Sequence, residues 1–182
     1  MMNIRNTTEP DEPAIRQVHE AAFGPQEGPT VAGLVIELLH DPTARPLISL
    51  LACAGATPVA HVLFTSVRIS GAEKPPVAHI LAPLAVLPNR QRQGTGTQLV
   101  RAGLDQLAAV GGALVFVLGY PGYYPRFGFQ PAGRLGFSAP YPIPEQNADA
   151  WMVLALAPGI LGTVRGTVRC AKALDKPEYW RE

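Results

Sequence analysis

Charge is scarce in this chain of 182 residues: only 16% are Asp, Glu, Lys or Arg, against roughly 25% in an average soluble domain. The 15 basic and 14 acidic side chains nearly cancel, leaving a formal net charge of +1. No basic stripe runs along the sequence, so the electrostatic footprint of a nucleic-acid binder is missing. Cysteine is scarcer still. Cys53 and Cys170 stand far apart, and with His19, His40, His61 and His79 they form no metal-ligand spacing. Two free thiols in a reducing compartment are the expectation. No uncharged apolar run reaches the 18 residues of a membrane span, and the stretch Met1 to Arg5 lacks the apolar core of a secretion signal. The absences read together as a cytoplasmic protein without metal, membrane or nucleic acid.

What is present is apolar and stiff. Hydrophobic residues make up 47% of the chain, with 18 glycines and 19 prolines and a mean hydropathy of +0.12. This length favours a single domain that buries roughly 70% of its unfolded-chain surface. Residues 3–8 alternate weakly, as an edge strand would. Asp11 opens a helix with Ile15, Val18 and Ala22 at helical spacing, stopped by Gly24-Pro25. A second helix, residues 30–40, carries Val31, Leu34, Val35, Leu38 and Leu39 as one stripe. Three strands follow, at 47–54, 59–69 and 77–87, the first two joined by a hairpin signal at Gly55 to Pro58. Then comes a helix with Leu99, Val100, Leu104 and Leu107 on one face, and a buried-looking strand at 113–118. Strand, helix, strand at this length predicts a crossover to a parallel neighbour. A last strand is expected at 151–156, and the tandem Gly-Thr-Val-Arg at 162–165 and 166–169 reads as a short hairpin. The class is mixed α+β, a largely antiparallel sheet with one crossover.

Chemistry concentrates in the turn between the third long strand and its helix. Gln91-Arg92-Gln93-Gly94-Thr95-Gly96 has the form Q/R-x-x-G-x-G. First-turn amides of a helix lack intrahelical acceptors, and the helix dipole adds partial positive charge there. Gly94 and Gly96 carry no Cβ to hold an anion away, and Arg90 and Arg92 stand beside them. A P-loop would need Lys-Ser/Thr after Gly96, where Thr97-Gln98 stands, and a dinucleotide fingerprint would need glycine at Leu99. Neither alternative fits.

The segment from Leu81 to Val100 resembles motif A of the GNAT N-acetyltransferase superfamily, and Gly119-Tyr120-Pro121-Gly122-Tyr123-Tyr124-Pro125-Arg126-Phe127-Gly128-Phe129 resembles its motif B. More narrowly, the second run is similar to the G-D-P-x-Y-Y-x-R-F-G-F stretch of a bacterial subgroup of N-acetyltransferases. The likeness extends to the strand at 59–64 and to the Gly-Thr-Val-Arg tail. It implies a GNAT fold over residues 1–158, with 159–182 as a C-terminal extension packed on the same domain. It also implies a splayed parallel strand pair whose gap takes the pantetheine arm of acetyl-CoA. By the same resemblance, the backbone of Leu84, Ala85 and Val86 pairs with that arm, and the Val86 N–H polarises the thioester carbonyl. The pyrophosphate rests on the loop of Gln91 and Arg92 and on the amides of Gln93, Gly94, Thr95, Gly96 and Thr97. Tyr124, four residues before Gly128, stands where the family has a tyrosine facing the sulfur, as proton donor to the departing thiolate or as an aromatic wall.

Two positions depart from the pattern. Ile80 stands where several members have a general-base Glu, with His79 turned to the opposite face by strand alternation and His61 and His19 as further candidates. Tyr120 replaces the subgroup's Asp. No Cys or Ser is placed to carry an acyl group, so the implied reaction is direct attack by an amine in a ternary complex. The acceptor is a small-molecule or protein amine, and the apolar composition would suit a homodimer. The alternative is a catalytically silent acyl-CoA sensor or partner protein on the same fold.

Overall fold

The computed structural model describes residues 1–181; Glu182, the last residue of the expected extension, lies outside the described residues. The main sheet orders its strands β1 (Met2–Asn6), β2 (Ile48–Ala54), β3 (Thr57–Ser70), β4 (Ala78–Val86), β5 (Leu114–Leu118), β8 (Trp151–Ala155) and β6 (Gln130–Pro131). Every neighbouring pair in that series is antiparallel except β4 and β5. A second ladder joins β9 (Gly166–Arg169) to the far end of β3 and to β7 (Phe137–Ser138). The two Gly-Thr-Val-Arg units therefore do not form a hairpin with each other. The second one reaches back across the chain to Arg68, Ile69 and Ser70, a long-range pairing that repetition in sequence cannot announce.

Strand alternation gives the sheet two apolar faces. Leu51, Leu63, Ile80, Phe116 and Trp151 pack against Leu34, Val35 and Leu38 of α1 (Glu12–His40) and against Leu174 and Trp180 near the C-terminus. Leu50, Val62, Phe64 and Val115 pack against Leu99, Val100, Leu104 and Leu107 of α2 (Thr95–Ala109). The expected pair of helices before β2 is one element broken at Gly24, whose φ of 80° and ψ of 178° leave the helical region. Pro25 then starts the second half at once, its fixed φ suiting a first helical turn, so residues 25–29 are helical rather than a linker. On the other face α2 lies so close to β3 that a Cβ on Gly103 would stand 2.1 Å from Phe64 Cε2. Phe64 is fully buried and has no room to yield. Gly103→Ala is expected to destabilise by about 2–3 kcal/mol, the upper range for overpacking; urea denaturation checks this, and an unchanged midpoint would contradict the packing.

Candidate active site

β4 and β5 are paired for three residues only, from Ala78↔Leu114 to Ile80↔Phe116. Immediately after, the β3–β4 register shifts between Phe64↔Leu81 and Val62↔Leu84, placing a bulge at Ala82-Pro83. Beyond the bulge β4 runs on to Val86 with its β5-side edge unpaired, while β5 continues into its pairing with β8. The strands splay, and the gap opens into a cleft of about 1220 Å³ that passes from the α2 face to the α1 face of the sheet.

Backbone direction along β4 follows from two hydrogen bonds. The Leu87 N–H donates to Val59 O on β3 at 2.9 Å, while the Val86 carbonyl accepts from Gln91 Nε2 at 3.1 Å, away from β3. Alternate residues of an antiparallel strand bond to opposite sides. Leu84 and Val86 therefore offer their N–H and C=O groups to the gap, and both line it. Ala85 is turned to β3, opposite His61, is 2% exposed and is not part of the cleft lining.

At the α2 end of the cleft, the first helical bond is Gln98 N–H to Gly94 O at 3.0 Å. The amides from Arg92 to Thr97 donate to no backbone acceptor among the described residues. Gly94 takes φ of 84°, a conformation glycine adopts without a Cβ penalty. Arg92 takes φ of 60° with a side chain, an uncommon backbone state for a residue with a Cβ and one that clusters at ligand loops. Gly96 answers a different need: a Cβ there would stand 2.9 Å from Tyr123 Oη and 3.3 Å from Val86 Cγ2. Gln91, Arg92, Gly94, Gly96 and Thr97 line the cleft. The Gln93 side chain instead donates to Asn89 O at 3.0 Å, and the Thr95 side chain is buried. For Gln93 and Thr95 only the free amides are offered to an anion.

The two adjacent tyrosines both reach the cleft. Their rings meet edge to face at 5.1 Å. Tyr123 turns its hydroxyl toward Gly96 and has the Arg126 guanidinium 4.2 Å over its ring, which brings a cation to the loop end. Tyr124 is 9% exposed, and its ring lies so close to Gly119 that a Cβ there would be 2.4 Å away. Its hydroxyl makes no hydrogen bond to a described residue. Burial first, and the neighbouring Tyr123 second, hold the Tyr124 hydroxyl well above the usual phenol range, so it keeps its proton at any working pH.

None of the histidines considered as bases lines the cleft. His79 is 2% exposed and contacts Pro46 O at 3.2 Å, while Ile80 next to it does line the cleft. His19 and His61 are fully buried on the α1 face and bonded to each other. The α1-side mouth holds residues that sequence reading did not single out: Phe23, Gln26, Glu27 and Thr30 of α1, and Glu178, Tyr179 and Trp180. The last three arrive from the far end of the chain. Their segment is anchored by the Ala173 N–H to Asp41 Oδ2 at 2.9 Å, and Trp180 Nε1–H donates to Leu174 O at 3.0 Å. No local pattern in the sequence marks such a docking. Among the described residues no group of three His, Cys, Asp or Glu could hold a metal, and no helix is long and apolar enough to cross a membrane.

Solved structures share this arrangement. The GNAT family N-acetyltransferase YhbS from Escherichia coli, in complex with CoA, matches with a TM-score of 0.85 and 30% identity over 96% of this chain and 92% of its own. A GNAT family acetyltransferase from Brucella melitensis, in complex with acetyl-CoA, matches with a TM-score of 0.75 and 32% identity over 96% and 99%. The mixed sheet with its splayed parallel pair and flanking helices is thus the GNAT fold. Residues 3–132 match the acetyltransferase (GNAT) domain, and the chain belongs to the GNAT acetyltransferase family. The uncharacterized N-acetyltransferase YjhQ of Escherichia coli is 45% identical over 166 residues, 91% of this chain and 90% of that protein.

Proposed function

We propose that this enzyme moves an acetyl group from acetyl-CoA to a primary amine by direct attack within a ternary complex. The observation that carries this is the gap itself: an unpaired strand edge, a cradle of free amides and the hydroxyl of a largely buried tyrosine converge on one cleft. The fit to the cosubstrate rests on this chain's groups. A diphosphate suits the amides of Gln93 to Thr97 at the positive end of α2, with Arg92 beside them, and glycine at 94 and 96 leaves the approach open. A chain of amides suits the gap-facing N–H groups of Leu84 and Val86 and the Leu84 carbonyl, while the Val86 carbonyl already accepts from Gln91 Nε2. Bound acetyl-CoA supplies an acetyl group activated as a thioester.

The protein's own part is placement, charge and a proton. Val86 N–H faces the gap, where it stabilises the negative charge that builds on the carbonyl oxygen as nitrogen attacks. The amine attacks in its neutral form. Tyr124 Oη gives its proton to the sulfur as the carbon–sulfur bond breaks, and the proton that the nitrogen sheds restores the phenol, so amide and thiol form with no net proton change. Desolvation in this cleft raises the proton affinity of a departing thiolate, as it raises that of the phenol, and so favours protonation of the sulfur. The amine enters from the α1 face, opposite the cradle. Buried Cys53 and half-buried Cys170, both free, fit a cytoplasmic setting, and a homodimer is a compatible assembly.

Gly96→Glu tests the cradle. Its Cβ meets the far end of a tyrosine side chain rather than backbone, so the melting temperature should stay within a few degrees. The added carboxylate, in the path of the diphosphate, should abolish acetyl-CoA binding in calorimetry. Normal binding by this variant would remove the cradle from the account.

A further inference from the structure

We infer that the α1-side mouth of the cleft selects a small amine carried on an apolar or aromatic body and lacking a carboxylate, with Glu27 and Glu178 drawing in its ammonium group. The inference rests on the proposed acetyl transfer and concerns what that reaction accepts.

The charges along the cleft are sorted by end. Both arginines that line it, Arg92 and Arg126, belong to the α2 end. Arg92 is in the cradle loop, and Arg126 stacks on Tyr123, whose hydroxyl points at Gly96. The charged residues lining the opposite mouth are both acidic, Glu27 on the second half of α1 and Glu178 on the C-terminal turn Pro177–Trp180. Neither forms an ion pair with a described residue; the nearby Lys176 pairs with Glu37 instead, at 3.5 Å. An approaching ammonium meets carboxylates contributed by two separate elements, whereas an acceptor carboxylate meets like charge and no cation among the residues that line this mouth. The apolar lining contributed by α1 and the C-terminal segment is Phe23, Val31, Leu34, Leu174, Tyr179 and Trp180. Such a surface gains from burying hydrocarbon or an aromatic ring and offers little to a highly polar acceptor. The mouth also leads to a reacting centre marked by the unpartnered Tyr124 hydroxyl. Glu27 and Glu178 are thus specificity-determining groups, with discrimination against amino acids built from an absent cation and two repelling anions.

Phenethylamine and phenylalanine differ only by a carboxylate and form the decisive pair. In calorimetry with CoA present, phenethylamine should bind at least tenfold more tightly than phenylalanine, and steady-state kcat/KM should follow the same order. The double variant Glu27→Gln/Glu178→Gln keeps the shape of two exposed side chains. It should raise both the Kd and the KM for phenethylamine at least tenfold, while acetyl-CoA affinity stays within twofold. Equal binding of the two probes, no binding of phenethylamine to a protein that does bind acetyl-CoA, or an unaffected double variant would each overturn the inference alone. Failure of the wild-type protein to bind acetyl-CoA would overturn the proposed function instead.

Discussion

Replacing Tyr124 by Phe should lower kcat by about 10²–10⁴-fold, the range for loss of a positioned acid, with the KM for acetyl-CoA changed less than twofold. The substitution removes one atom and leaves the ring where it is. That ring packs on Gly119 and meets Phe129 edge to face at 5.7 Å, contacts that Phe retains. The hydroxyl has no partner among the described residues, so no bond is lost on removing it and the melting temperature should hold or rise slightly. Because burial keeps the phenol protonated, the wild-type rate should show no alkaline fall attributable to Tyr124. Single-turnover kinetics with saturating acetyl-CoA would separate the outcomes. An unchanged chemical step in the Phe variant would make Tyr124 an aromatic wall rather than a proton donor.

Acidification from pH 7 to pH 4.5 should strip roughly 3 kcal/mol or more from the stability of the fold, chiefly through buried histidines. Thr7 Oγ1–H donates to Ser49 Oγ at 2.7 Å, Ser49 contacts His61 Nε2 at 2.8 Å, and His61 Nδ1 lies 2.8 Å from His19 Nε2. With Ser49 giving its own proton to His61, His61 Nδ1–H donates to His19, and both rings are neutral. Burial pushes His19 down to about 4 and, with His19 adding repulsion, His61 well below its ordinary value of 6.5. His79 is shifted the same way, chiefly by burial. The folded state therefore resists protons that the unfolded chain takes up below pH 6.5. Stability is complete above that value and falls as pH drops toward 4, at about 1.4 kcal/mol per unit for His19 alone. Asp11 acts lower down: the Arg5 guanidinium at 2.8 Å holds its carboxyl below the carboxylate range, so its contribution is lost only below its unfolded value near 4. Urea denaturation at pH 7.0 and 4.5 reads the difference, and His61→Gln should flatten the slope. A stability constant over that interval would contradict the buried neutral chain.

Much of the sheet was legible because its order is written in local pattern. The hairpin at Gly55, the crossover through α2 and the strand at 114–118 each follow from periodicity and punctuation. The bond-poor helix start was legible too, since Gly94 and Gly96 sit where a tight turn meets a helix. Three features were not. The break at Gly24 reads as a stop because Gly-Pro ends one helix and begins another with no spacer. β9 and the C-terminal turn depend on partners nearly a hundred residues away or more, such as Ile69 and Asp41, which no window of sequence contains. The turning of Ala85 away from the gap depends on the β3–β4 register after the bulge at Ala82-Pro83, and a one-residue slip reverses such an assignment. For the same reason Glu27 and Glu178, which line one cleft from opposite ends of the chain, carried no signal in sequence.

Calorimetric titration of the purified protein with acetyl-CoA, beside dephospho-CoA and ATP, tests the central claim most directly. Acetyl-CoA should bind one-to-one at micromolar affinity, at least tenfold tighter than ATP, because the strand edge of Leu84 and Val86 engages an arm that ATP lacks. Preference for ATP, or no heat with acetyl-CoA, would contradict it.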